Sequence, residues 1–351
     1  MSEKIITFSI AAYNIEKYID ECVGSLLNIG KNDEIELLII NDGSSDDTAV
    51  IAREYERKYP GTVRLINKEN GGHGSTINKG IEEARGKYFR ALDGDDWVNS
   101  SETSKLIERL KETEADAVIC NYTDCYSEEK VPSVLFSSLE NNRVYSLSEI
   151  DRLSGWIRYH AVIFKTDILQ DNKILLDEHC FYVDTEYLVY SMAHVNNIIY
   201  FDFNIYCYRR DNEAQSINQQ SRMRNILHSK KVAISLLRYF VRNKMKYDRG
   251  RREYIMSGIA MHCIWHFRGL TFFAPDNKKK LELIKFERYI KRMSPEVFRM
   301  MTTTASNRDK GDVKIVRALR LTDYHIFNAY GIYRKAKPML IAKARTLLKR
   351  G

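Results

Sequence analysis

Four clusters of polar residues have the types and spacing that chemistry requires. Asp93-Gly94-Asp95-Asp96 places three carboxylates within four positions. Charges this close repel one another, and burying them without a counter-ion is expensive. Oxygen-rich sets of this kind suit Mg²⁺ or Mn²⁺, often shared with substrate phosphates; a solvated acidic turn is the plainer alternative. Asn41-Asp42-Gly43-Ser44 offers a carboxylate to a nucleobase N–H or a ribose hydroxyl, and suits a helix cap and turn equally well. Residues 70–79 (NGGHGSTINK) combine glycines that allow close backbone approach with N–H groups at a following helix start, which attract phosphate. The segment fits neither GxxxxGK[ST] nor GxGxxG, which disfavours a P-loop NTPase and a dinucleotide dehydrogenase. Residues 181–187 (FYVDTEY) set Asp184 and Glu186 among aromatics. A carboxylate there can act as a general base, or simply favour the start of a helix.

Lesser candidates follow. Trp156 and His160 could meet a substrate, and Tyr208-Arg209-Arg210 could present cations to a diphosphate. His160 could also be a satisfied core residue. No Ser/His/Asp or Cys/His nucleophile pattern stands out. His262 and His266 are four apart but lack the glutamate of HExxH, and no other His/Cys spacing suits zinc.

The elements that must position these clusters alternate between strand and helix. Residues 5–11, 36–41, 63–67 and 87–92 read as buried strands; 15–27, 49–59 and 76–84 read as helices. This order predicts a mainly parallel sheet covered on both faces, with ligands beyond the carboxyl ends of the strands. The first three clusters fall at such ends. Residues 104–112 read as a helix and 115–122 as a strand; 123–150 read as a polar hairpin or flap. Residues 156–216 mix short strands with a helix near 186–192. From about 222 the pattern changes to long basic amphipathic helices. Three regions are therefore expected, at 1–100, 101–220 and 221–351.

The composition of the 351-residue chain supports this division. Residues 221–351 hold 32 Lys+Arg against 9 Asp+Glu, a net of +23, while residues 1–220 net −15. Such a split predicts two regions with different partners. Residues 326–350 (IFNAYGIYRKAKPMLIAKARTLLKR) read as a basic amphipathic helix that could lie on an anionic membrane, or pack on the chain with a solvated basic face. The helices could also pair two subunits as a homodimer. Nucleic acid is not expected, because no recognisable binding motif occurs. Six scattered cysteines without CxxC, no signal-peptide pattern and no apolar run of membrane length predict a cytoplasmic protein with reduced thiols.

In combination, the segments Ser9–Asn14 (SIAAYN), Ile39–Asp46 (IINDGSSD), Asn78-Lys79-Gly80, Ala84–Tyr88 (ARGKY) and Leu92–Trp97 (LDGDDW) resemble the family-2 inverting glycosyltransferases of bacterial, non-processive type. Val183–Tyr187 resembles the later Glu-Asp-x-x-Phe motif, with Val183 in place of the glutamate and Tyr187 in place of the phenylalanine. The resemblance implies an α/β GT-A fold, Rossmann-like, in which 1–100 binds a nucleotide sugar and 101–220 binds the acceptor, followed by the basic helical region. It implies that Ala12, Tyr13 and Asn14 line the nucleotide pocket and that Asp42 binds the base, expected to be uracil. Asn70, Gly72 and Lys79 would lie near the ribose or phosphates, beside Asp93 and Gly94. Asp95 would hold Mn²⁺ or Mg²⁺, with Asp93 as a second ligand. Asp184 would be the base, with Glu186 as fallback. Trp156, His160 and Arg209 would serve the acceptor or the diphosphate. The implied activity is metal-dependent transfer from a UDP-sugar to a hydroxyl of a glycan or lipid-linked acceptor, with inversion, in cell-surface polysaccharide synthesis. A sugar nucleotidyltransferase and a non-catalytic nucleotide-sugar-binding scaffold are the alternatives. The first of these normally has a Gly-rich loop with Arg and Lys where this chain has Ala12-Tyr13-Asn14.

Overall fold

The computed structural model describes residues 4–133, 136–210, 224–273, 276–303 and 310–329. They divide into two compact units. The first holds the described residues up to 210 together with Asp248–Tyr254; the second holds those from 224 to Tyr247 and from Ile255 onward.

The first unit is a sheet covered by helices. Its strands are β1 (Ile6–Ala12), β2 (Ile35–Asn41), β3 (Val63–Asn67), β4 (Tyr88–Asp93), β5 (Trp97–Val98), β6 (Ala117–Cys125), β7 (Lys130–Pro132), β8 (Arg143–Tyr145), β9 (Val162–Lys165) and β10 (Ile198–Arg209). The order is β3-β2-β1-β4-β9-β6-β10-β5, with β7 added to β6 and β8 to β10. The strands β3, β2, β1 and β4 are parallel, as are β6 and β10, while β9 runs antiparallel between β4 and β6. The sheet is thus parallel at the expected nucleotide-binding half and mixed beyond it. Every residue of β2 (IELLIIN) is buried, as expected for a strand covered on both faces.

Helices α1 (Ile19–Leu27), α2 (Thr48–Lys58) and α3 (His73–Glu83) connect the first four strands. Helix α3 begins three residues earlier than its pattern predicts. Gly72, at φ 82°, takes a backbone conformation that is cheap only for glycine and starts the helix. Helix α4 (Ser100–Glu112) starts where the Asn99 side chain accepts from the Glu102 N–H. The polar stretch 123–150 contains two edge strands, β7 and β8. It ends in a capping box, Ser146 with Glu149, at the start of α5 (Leu147–Leu153). The expected short strands near 200 are one 12-residue strand, β10. Its register shifts at Phe201/Asn204 and Asn204/Tyr206 interrupt the alternation that marks a long strand, which is why the sequence reads as fragments. Helices α6 (Thr166–Asp171) and α7 (Asp184–Met192) complete the unit before residue 210.

The second unit contains α8 (Ile226–Asn243), most of α9 (Arg249–Phe273), α10 (Asn277–Met293), α11 (Pro295–Thr303) and α12 (Lys310–Leu321). Helices α8 and α10 fit the amphipathic expectation. The first buries Val232, Leu236, Leu237 and Phe240 and exposes Lys231 and Arg238; the second buries Leu283, Phe286 and Ile290 and exposes Lys278 and Arg288. Helix α9 does not fit it. Ile255, Ile259, His262, Cys263 and His266 are buried along one side, and Ser257, Met261 and Ile264 are buried on others. A helix buried on several sides needs apolar residues around its circumference rather than along one stripe. The expected basic tail helix lies outside the described residues from 330 onward. No helix among the described residues is long and apolar enough to cross a membrane. All six cysteines are buried and none forms a disulfide.

Two tests follow from this packing. A Cβ on Gly80 would lie 2.0 Å from Ser9 Oγ and 2.9 Å from Ser9 Cβ, because α3 rests directly on β1 there. Overpacking costs about 1–3 kcal/mol, more than the ~1 kcal/mol that alanine gains over glycine in a helix. Gly80→Ala therefore lowers the unfolding free energy by roughly 1 kcal/mol in denaturant titration; a stabilised variant would refute the contact. The second test concerns His266. Burial, with the charges of His262 and Lys230, lowers its pKa to about 3. Between that value and the ordinary unfolded value, the unfolded chain binds a proton that the folded chain does not. Stability is therefore lost as pH falls. From pH 7 to pH 5 the wild type should lose about 2 kcal/mol more than His266→Leu, measured by urea unfolding at both pH values. Equal losses would contradict a neutral buried imidazole.

Candidate active site

The carboxyl ends of β1, β2 and β4 meet two loops. The loop after β1 is knit to the loop after β2: Asn14 N–H donates to Ser44 Oγ (3.1 Å), Ser45 N–H to Asn14 Oδ1 (2.8 Å), and Ile15 N–H to Thr48 Oγ1 (2.9 Å). Asn14 sits at φ 51°, the left-handed region that asparagine tolerates. Beside it Tyr13 is 52% exposed, a large aromatic presented to solvent at a strand end.

Asp42, at the end of β2, is buried, and its carboxylate gathers the Gly-rich loop. Lys68 Nζ (2.7 Å), Gly71 N–H (2.9 Å), Gly72 N–H (2.8 Å) and Ser75 Oγ (3.2 Å) all donate to it. The Asn70 amide donates to the Asp42 carbonyl (2.9 Å). Asp42 therefore shapes the loop that the sequence assigned to phosphates, and its oxygens face that loop, where the sequence analysis gave them to a nucleobase. Lys68 was missed by the sequence analysis; a lysine just before a Gly-rich loop was the available signal.

The acidic turn after β4 is built by backbone approach and by β10. Gly94 N–H donates to the Ala11 carbonyl (3.0 Å), and a Cβ there would lie 2.6 Å from that backbone carbonyl oxygen, so only glycine fits. Asp96 is buried and accepts from Tyr206 Oη (2.6 Å) and Arg209 N–H (2.7 Å). Burial, reinforced by Asp93 and Asp95, pushes its carboxyl well above the ordinary range. Burial also raises the Asp93 carboxyl. The His73 imidazole, 3.7 Å away, opposes that rise, while the charges of Asp95 and Asp184 add to it. Tyr159 Oη donates to Asp93 Oδ1 (3.4 Å). His160 stacks on Tyr208 with ring centroids 4.1 Å apart, and burial beside Arg90 lowers its pKa to about 3. The imidazole is thus neutral and can ligate. Asp93, Asp96 and His160 each bring a ligand atom within 4.8 Å of the others. This crowded carboxylate and imidazole set fits a divalent cation. Because both Asp96 oxygens already accept hydrogen bonds, Asp96 serves first to anchor the turn.

Asp184 begins α7, near enough for its charge to help raise the Asp93 carboxyl. The other expected members have partners that differ from those expected. Glu186, the fallback base, is fully buried and accepts from Asp177 N–H (2.9 Å). Lys79 pairs with Glu82 (3.1 Å) and Glu83 (2.8 Å). Through Glu83, Arg64 and Glu36 that network reaches the amino end of β2, away from the phosphate site first expected for it. Trp156 is buried and stacked on Tyr254 at 4.9 Å, which covers a ring face that an acceptor would need. Arg209 donates to the Asp95 carbonyl (2.7 Å), pairs with Glu21 and lies between the rings of Tyr18 (4.9 Å) and Trp97 (4.7 Å). Its guanidinium clamps the acidic turn to α1, the position in which it was expected to meet a diphosphate. Tyr206 and Tyr159 are not among the residues expected from sequence, because single tyrosines in distant segments carry no local signal.

Comparison with known proteins gives a consistent result. Residues 7–159 match Glycosyl transferase family 2. The chain is 28% identical over 215 residues to the uncharacterized glycosyltransferase EpsJ of Bacillus subtilis, a match covering 59% of this chain and 61% of EpsJ. It is 34% identical over 192 residues to the minor teichoic acid biosynthesis protein GgaB of the same organism, covering 51% of this chain and 20% of GgaB. The match thus spans less than two thirds of each of these relatives. Among solved structures, S. aureus TarS 1-349 in complex with UDP-GlcNAc aligns with a TM-score of 0.66 at 19% identity, over 95% of this chain and 92% of that one. The fold is therefore GT-A.

Removing one partner of a buried charged pair costs more than the pair contributes, because the other groups are left unsatisfied. Asp42→Ala should lower stability by about 3 kcal/mol. Lys68→Met, which leaves the Gly71 and Gly72 hydrogen bonds intact, should cost about 1 kcal/mol or less. Equal losses in thermal unfolding would mean that the ion pair, rather than the backbone donors, holds the loop.

Proposed function

We propose, from the match of residues 7–159 to Glycosyl transferase family 2, that the protein transfers a sugar from a nucleoside diphosphate donor, with UDP as the expected nucleotide, to a hydroxyl of a glycan or lipid-linked acceptor. The observation that carries this reading is the gathering of Asp93, Asp96 and His160 within 4.8 Å of one another, with His73 of the Gly-rich loop 3.7 Å from Asp93, at the carboxyl ends of parallel strands. Ligands of open α/β sheets bind at such a place.

In this reading the work divides as follows. Tyr13 and Asn14 line the nucleotide side, and the Gly71–Gly72 backbone lies near the phosphates. Of Asp93, Asp96 and His160, whose ligand atoms lie within 4.8 Å of one another, Asp93 and His160 would hold a divalent cation, joined by Asp95 as the family resemblance implies, while Asp96 fixes the turn. The cation, when bound, supplies positive charge to the leaving diphosphate. Asp184 accepts the proton of the acceptor hydroxyl as its oxygen forms a bond to the anomeric carbon. The bond from that carbon to the diphosphate oxygen breaks, and the nucleoside diphosphate leaves with the electron pair. A single displacement of this kind inverts the anomeric centre and requires no protein nucleophile. Exposed Lys and Arg on α8 and α10 support peripheral contact with an anionic membrane, at the cytoplasmic face where such acceptors would be met. The reading places the enzyme in cell-surface polysaccharide synthesis.

The test combines binding and turnover. UDP with Mn²⁺ should raise the melting temperature of the wild type by mass action, and EDTA or Asp95→Ala should remove most of the shift. Asp184→Asn should keep the shift and lose transfer by about a thousandfold or more. No shift with UDP, GDP, CDP or dTDP at millimolar concentration would sink the donor site, and full activity in Asp184→Asn would sink the base.

A further inference from the structure

The segment between α6 and α7 leads directly to Asp184, and other elements hold its backbone by side chains. Asn78, on α3, holds Leu176 from both sides: its Oδ1 accepts from Leu176 N–H (2.8 Å) and its Nδ2 donates to the Leu176 carbonyl (3.0 Å). Nδ2 also lies 3.3 Å from Glu178 Oε1. Glu186, two residues beyond Asp184, accepts from Asp177 N–H (2.9 Å). His179 N–H donates to the Gly71 carbonyl in the Gly-rich loop. A Cβ on Gly74 would lie 2.3 Å from the Asp177 carbonyl oxygen, so the segment rests on the first turn of α3. Lys173, His179 and Tyr182 all have positive φ (49°, 51° and 71°), conformations that persist only where the surroundings enforce them.

We infer that Asn78 and Glu186 are positioning residues that tie segment 176–179 to the Gly-rich loop on one side and to the base-bearing helix on the other, so that Asp184 is set in place by the loop that receives the donor. This inference rests on the reading of Asp184 as the base. It also explains the two neighbours Asn78 and Lys79. Successive helix positions point in different directions, so Asn78 faces the segment while Lys79 reaches the surface pairs with Glu82 and Glu83. Glu186, which sequence spacing makes a candidate base, has a carboxylate directed at a backbone N–H of its own chain. Its contribution comes through the placement of Asp184.

The test uses the full chain, with UDP and Mn²⁺ as the probe and a UDP-sugar panel for turnover. In hydrogen exchange, amides 176–179 of Asn78→Ala should exchange about tenfold faster than in the wild type, with β1 and β2 unchanged. Its kcat should fall by about 100-fold while the UDP titration midpoint stays within about twofold, as expected when a misplaced group costs rate rather than binding. Asn78→Asp, which keeps the acceptor for Leu176 N–H, should recover part of the rate. Glu186→Ala should lose rate in the same way, and Glu186→Gln, which can still accept from Asp177, should restore most of it. A Gln variant as inactive as Asp184→Asn would make Glu186 the base and overturn the inference. Equal loss of kcat and UDP affinity in Asn78→Ala, or unchanged exchange at 176–179, would overturn it too. A wild type that binds UDP but transfers from no sugar donor would refute the glycosyltransferase reading. The exchange result for Asn78→Ala would then still decide whether the segment is tied to the loop.

Discussion

The buried carboxylate of Asp96 is the point on which the site depends. A carboxylate removed from water must be given hydrogen-bond donors, and both donors here come from β10: the Tyr206 hydroxyl and the Arg209 backbone. These bonds bring the turn after β4 against a strand more than 100 residues later. The Arg209 side chain extends the same attachment. It donates to Asp95, lies between Tyr18 and Trp97 and pairs with Glu21 on α1. Gly94 closes the turn onto β1, where no side chain would fit. The acidic turn is thus fixed from three directions, and Asp93 is held beside His73 and Tyr159.

A second buried carboxylate organises the opposite wall. Asp42 takes two successive backbone N–H groups, an ammonium and a hydroxyl, which together amount to a preformed anion site already filled by the chain's own anion. The loop is therefore shaped before any ligand arrives. The two walls differ in electrostatic balance. Asp42 is surrounded by donors, whereas Asp93 and Asp96 are crowded by like charge, and burial pushes both carboxyls upward. A divalent cation is the group that would complement the second wall and leave the first unchanged.

The element boundaries show where sequence reasoning succeeds and where it stops. β3 begins and ends where the sequence places it, and β1, β2 and β4 do so within one residue. All are short apolar runs bounded by turn residues, so local pattern and tertiary burial agree. β10 reads as fragments in sequence because its bulges break the alternation. Helix α9 was read as amphipathic like its neighbours, but it is enclosed on several sides, and its histidines are buried along with its apolar residues.

The sequence alone determined the order of strands and helices and the carboxyl-end placement of the acidic and Gly-rich clusters. These are local properties: chain order, periodicity, and residue types that a strand-to-helix turn can accept. Tertiary structure alone decided what each side chain does there. Lys79 and Glu186 have the residue types of a site, but one turns to surface glutamates and the other to a backbone N–H. Trp156 is covered by Tyr254, and Arg209 is spent on the turn it was expected to serve. Lys68, Tyr159 and Tyr206 enter the site without a motif. The reason is that a side chain's partners are chosen by distances across the fold. Asp96 meets Tyr206 from 110 positions away, and nothing in the spacing along the chain records that approach.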